Sequence, residues 1–145
     1  MSKREPYAVE VSNPARSPVS VARIRHVASG VLAKLCRPGL RRISIAFVTG
    51  AAMRRLNRTR RGIDRTTDVL SFFLGAAEGD AVNGEVVLCY PYLKAQAQRV
   101  GVSVREEVIR MLVHGILHLA GYDHETKKDA GVMFPIQERM VAEFL

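Results

Sequence analysis

Residues 103–124 read SVREEVIRMLVHGILHLAGYDH. Ser103 and Glu106 stand three apart, the spacing of a capping box, so a helix opens there. Val113, Leu117 and Ala120 continue it, and Gly121 is the residue type that ends a helix in a left-handed turn. His114 and His118 lie four apart, so both rings project from one helical face. Past the glycine the chain turns back, which brings His124 toward the same point. Three neutral imidazoles fill three positions around a divalent ion and leave the fourth open, the arrangement of a catalytic zinc centre. A structural site closes all four positions, commonly with cysteine, and no cysteine lies near. The spacing therefore predicts one zinc ion per chain on His114, His118 and His124. His26, alone in an earlier segment, is read as structural or solvated. Asp123 is either an outer acceptor for a ligand imidazole or a capping group.

Away from this helix, residues 42–48 alternate, with Ile43, Ile45 and Phe47 on one face of an expected strand. Shorter strands are expected at 7–11, 69–73 and 85–90, the first followed by the breaker Ser12-Asn13-Pro14 and the last two joined by a loop at 75–84. Ser17 before Pro18 reads as an N-cap with proline at the first helical position, opening a helix toward Cys36. Val21, Ile24, Ala28, Val31, Leu32 and Leu35 supply its apolar stripe, and Arg37-Pro38-Gly39 ends it. A short helix over 51–57 precedes a basic loop at 58–67. Another helix covers 91–100, with Pro91 in its first turn. A last one covers 127–144, where Pro135 should kink or divide it. Strands and helices mix along 145 residues, so residues 1–145 read as a single α/β-type domain with a small sheet of about four strands.

Composition narrows the function classes. Hydrophobic residues at 48% and charged residues at 25% exclude general disorder. No apolar run reaches the length of a membrane span. The opening MSKREPYAVEV lacks the apolar stretch of a signal peptide, so a cytoplasmic location is the expectation. Cys36 and Cys89 lie too far apart for a CxxC pair and are expected as buried free thiols. The net charge is +8, and residues 37–65 carry all of it, with nine arginines against the single acid Asp64. A guanidinium grips phosphate with two prongs where an ammonium cannot. RNA is therefore the favoured partner, through that segment. Charge by itself does not separate this from a solvated basic surface.

The frame H-x3-H-x2-G-x2-H is also that of metzincin proteases, which carry a general-base Glu directly after the first histidine. Here that position is Gly115, so a protease of that design would lack its base. A closer likeness covers most of the chain. HGILHLAGYDHE, with LNRTRRGIDRTTDVLSF at 56–72 and Gly84-Glu85-Val86 between them, resembles the YbeY family of bacterial endoribonucleases. The resemblance implies a zincin-like α+β fold, one zinc ion on three histidines, and cleavage of single-stranded RNA. It implies roles in forming the 3′ end of 16S rRNA and in ribosome quality control, with the small ribosomal subunit as partner and neither DNA nor a membrane expected. Carried over by position, the zinc ligands are His114, His118 and His124, and the family's catalytic arginine falls on Arg61. Four positions depart from the family pattern: Arg60 stands where Tyr is common, Thr66 and Phe73 where Pro is, and Glu85 where Asp is. None is a presumed ligand, so they bear on substrate fit.

Two other classes of function compete with this reading. One is an RNA-binding ribosome-assembly factor whose zinc only holds the fold, against which stands the open coordination position. The other is a metal-dependent hydrolase of a non-RNA substrate such as a peptide, against which stand Gly115 and the arginines.

Overall fold

The structure is a computed structural model of the chain, and it describes residues 7–13, 15–37, 39–75 and 82–145. Strand β4 (Gly84–Cys89) lies at its centre. Val86 and Leu88 face one side, Val87 and Cys89 the other, and all four are buried. An apolar run without polar alternation suits a strand covered on both faces. With β1 (Ala8–Ser12), β2 (Arg42–Val48) and β3 (Val69–Phe73) it forms a sheet of order β1-β2-β4-β3. The first three strands of that order run parallel, and β3 is an antiparallel edge. Ile43, Ile45 and Phe47 are fully buried on one side of β2, as their alternation requires.

Helices cover both faces. On the side of Phe47 and Leu88 lie α1 (Val21–Leu35), α3 (Tyr90–Val100), α4 (Val104–Leu119) and α5 (Lys127–Phe144), whose apolar residues make the main core. On the other side α2 (Gly50–Arg61) sets Met53 against Leu70, Val87 and Cys89 in a smaller cluster. The fold is α+β, with four strands and five helices among the described residues.

Helix α4 is wedged between the sheet and α5, and residues 107–117 are buried but for half-buried Arg110. Ser103 Oγ accepts the Glu106 backbone N–H at 3.1 Å, half of the expected capping box. At the other end the Tyr122 N–H reaches Leu117 O and the Gly121 N–H reaches His118 O, each at 3.0 Å. This pair of bonds with Gly121 at φ +96° is a Schellman motif. The same helix can approach the sheet closely because residue 115 is glycine. A Cβ there would lie 2.8 Å from Val86 Cγ1 and 3.1 Å from Ser71 Oγ.

Several boundaries differ from the sequence reading. Ser20, not Ser17, caps α1, its Oγ accepting the Arg23 N–H at 3.1 Å. Ser17 is bound instead into the preceding turn, its N–H donating to Asn13 Oδ1 at 2.8 Å. Helix α2 runs four residues beyond 57, to Arg61, and Gly62 at φ 70° is its cap. Arg58, Arg60 and Arg61 fill its last turn, where cations suit the negative end of the helix dipole. Helix α5 continues through Pro135 undivided. Pro135 and Gly131, whose carbonyl loses its helical donor, are both exposed, so water can satisfy that oxygen. Cys36 is exposed at the left-handed cap of α1, whereas Cys89 is buried as expected. Residues 1–6, Pro14, Pro38 and most of the loop expected at 75–84 lie outside the described residues.

Candidate metal centre

The three histidines converge. His114 and His118 point from one face of α4, and their Nε2 atoms are 3.1 Å apart. The Schellman turn reverses the chain and returns His124, so that one ring nitrogen from each of the three lies within 4.8 Å of the others. His124 is fixed from two sides. Asp123 Oδ1 accepts its backbone N–H at 2.7 Å, and Phe134 stacks on its ring at 5.7 Å. His26 is remote from this group, exposed and set edge-on to Phe144.

The outer nitrogen of His114 is bound as well. Its Nδ1 lies 2.7 Å from Oε1 of Gln137, a buried residue of α5. The amide oxygen can only accept, so Nδ1 carries the proton and the Nε2 lone pair faces the other histidines. Burial is the largest cause holding the His114 imidazole below its ordinary pKa. His118 is lowered first by burial and then by the charges of His114 and His124. Both rings are therefore neutral near pH 7, the form that ligates a metal. Donor type, convergence and the His114 tautomer fit a divalent metal ion, which His114, His118 and His124 could hold together.

The histidines line a cleft of about 890 Å³, and Arg61 lines it too. The end of α2 carries Arg61, and buried Asn57 one turn earlier holds the chain beyond it by donating from Nδ2 to Arg65 O at 2.8 Å. Along the same cleft runs β3, the edge strand, preceded by Asp68. Asp68 Oδ1 accepts the Val69 N–H at 2.7 Å, and the carboxylate opposes the lowering of the His114 pKa.

The arginine-rich segment does not form one surface. Of its nine arginines only Arg61 lines the cleft. Arg54 binds Asp64 with two prongs, at 2.9 and 3.2 Å, and Arg58 approaches the same carboxylate at 3.8 Å. Arg42 pairs with Glu10, and Arg60 with Glu85 while lying over Phe72. Arg37 lies over Phe73. The charge run was legible, but its pairing was not. Three residues around the histidines escaped the sequence reading: Asp68 on the cleft wall, Gln137 behind His114 and Phe134 against His124. Asp68 sat inside the quoted 56–72 stretch, while Gln137 and Phe134 carried no local signal.

Comparison with known proteins gives the family. The family model described as Endoribonuclease YbeY matches residues 11–145. The Endoribonuclease YbeY of Sulfurihydrogenibium sp. (strain YO3AOP1) is 48% identical over 101 residues, 68% of this chain and 66% of that protein. That of Geobacillus thermodenitrificans (strain NG80-2) is 40% identical over 112 residues, 70% of this chain and 72% of that one. The chain thus spans about two thirds of the length of these curated relatives. The solution structure of TM1509 from Thermotoga maritima superposes with a TM-score of 0.66 at 26% identity, covering 94% of this chain and 88% of that one. From its helix-borne histidines to its edge strand, the chain belongs to the YbeY family.

Proposed function

We propose that the protein is a metal-dependent endoribonuclease that cuts single-stranded RNA, with zinc as its metal. The observation that carries this reading is the cleft in which Arg61 and the three convergent histidines line one space. A phosphodiester needs both a neutralising centre and a fork for its oxygens, and this cleft offers both kinds of group. The relatives' shared description, endoribonuclease, supports RNA as the substrate.

His114, His118 and His124 would hold the ion, which when bound supplies Lewis-acid polarisation of the phosphate. The chain's own groups do the rest. Arg61 takes two phosphate oxygens at once and strengthens its hold as charge builds on them. Gln137 keeps the His114 ring in its ligating tautomer. Asp68, with Oδ1 committed to the Val69 N–H, places a carboxylate beside His114 and on the cleft wall.

Gly115 weighs against a peptide hydrolase of the metzincin design. A glutamate there would have to enter a gap in which even its Cβ meets Val86 at 2.8 Å. In the cell, the reading extends to formation of the 3′ end of 16S rRNA and ribosome quality control, with the small ribosomal subunit as partner and a cytoplasmic location. No helix among the described residues is long and apolar enough to cross a membrane.

The test is the purified, metal-loaded protein on labelled single-stranded RNA, duplex RNA and casein, with metal content measured by mass spectrometry. Cleavage of the single strand alone is expected. Cleavage of casein, or RNA binding without cleavage in fully loaded protein, would replace this reading with one of the two alternatives.

A further inference from the structure

An exposed aromatic ring stands directly beside the metal centre. Phe134 is 42% accessible, and the ring packed on it is His124, nearly parallel at 27° with centroids 5.7 Å apart. Lys127, Gly131 and Phe134 occupy positions i, i+4 and i+7 of α5 and so share one helical face. All three are exposed, and a Cβ at Gly131 would meet nothing within 4 Å. That face presents a cation, a bare stretch of helix and an aromatic ring, ending at a histidine of the cleft.

We propose that Phe134 is a stacking platform for an unpaired nucleobase, and that it gives the enzyme its requirement for single strands. The inference rests on the RNA reading above and adds the group that would recognise the strand. A planar apolar ring in water recruits another planar ring, while Arg61 and the histidines suit a phosphate. A nucleotide offers both, joined by one sugar, so a base on Phe134 would bring its own phosphodiester to the cleft. A base inside a duplex has both faces covered by its neighbours. Only an unpaired base can lie on Phe134.

The test is stopped-flow mixing of the full chain, loaded with zinc, with a short single-stranded RNA containing 2-aminopurine, whose fluorescence falls on stacking. The wild-type protein should quench it. Phe134→Ala should bind roughly tenfold more weakly without the quench, the loss expected for one base–aromatic stack. Phe134→Leu keeps bulk but no π face and should resemble the Ala variant, while Phe134→Trp should bind and quench like wild type. Zinc content should be unchanged in all three. Unchanged affinity and quench in Phe134→Ala, or wild-type behaviour of Phe134→Leu, would overturn the proposal. Loss of zinc from Phe134→Ala and Phe134→Leu would also overturn it, by showing that Phe134 serves only to hold His124. Quenching by a wild-type protein that cuts no RNA would uphold the stacking site and defeat the nuclease reading.

Discussion

The Nδ1 of His114 and the Oε1 of Gln137 lie 2.7 Å apart across the α4–α5 interface, and both side chains are buried. A short bond between a ring and an amide decides which nitrogen of that ring carries the proton. It also ties the candidate metal centre to the packing of two helices. Arg110 reinforces that packing, reaching Glu138, the neighbour of Gln137, at 2.9 Å. Replacing Gln137 by Leu should weaken zinc binding about 10- to 100-fold, the range found when such outer partners are removed. Gln137→Glu keeps an acceptor and should retain the metal. Competition with a chromophoric chelator measures both, and equal affinities for wild type and Gln137→Leu would detach this bond from the metal.

Arg61 should act on rate rather than on structure. Arg61→Ala should keep zinc and fold but slow single-turnover cleavage of single-stranded RNA by about 10²–10³-fold, as for loss of one oxyanion donor. Arg61→Lys should recover little, because a point charge cannot reproduce a two-pronged grip. Near-normal rates in Arg61→Ala would return this residue to the surface charge.

Gly115 trades helix propensity for closeness. Alanine at this position would gain about 1 kcal/mol of intrinsic helix propensity. It would also push a Cβ to 2.8 Å from Val86 and 3.1 Å from Ser71 Oγ, which donates to Gly115 O at 2.9 Å. Overpacking of a core costs about 1–3 kcal/mol, so Gly115→Ala should destabilise on balance. The urea midpoint should fall with an unchanged slope. A raised midpoint would mean that α4 can move off the sheet freely.

The Arg110–Glu138 bridge gives a pH dependence of defined sign. The hydrogen bond from Arg110 holds the Glu138 carboxyl below its usual range. A carboxyl lowered in the folded state stabilises above its unfolded pKa, about 4.3, and loses that stabilisation as pH falls through the folded value. Glu138 is half exposed, so the effect is that of a surface pair, about 1 kcal/mol or less. Glu138→Gln should be less stable than wild type at neutral pH, and their urea midpoints should converge in acid. A difference that grows on acidification would contradict the assignment.

What the sequence disclosed was whatever is local. His114, His118, Gly121 and His124 fall within one helix and its turn, so spacing alone brought the rings together. Ile43, Ile45 and Phe47 declared a strand by alternation, and their burial followed. Gln137 lies 23 residues beyond His114, and only the angle at which α5 crosses α4 makes them neighbours. Ser17 reads as the cap of α1 because Pro18 follows it, but Ser17 is tied to Asn13 and the cap falls on Ser20. The reach of α2 to Arg61 depended on a last turn of arginines that reads equally well as a basic loop. The pairing of Arg54 and Arg58 with Asp64 required α2 and the chain beyond it to be placed together.

The proposed function requires that three histidines hold the ion on which RNA cleavage depends. The most direct measurement is zinc per chain by mass spectrometry, beside cleavage of single-stranded RNA, for wild type and His118→Ala purified alike. One zinc per chain and cleavage are expected for wild type, and loss of stoichiometric metal and cleavage together for His118→Ala. Full metal occupancy in His118→Ala, or undiminished cleavage without metal, would contradict it.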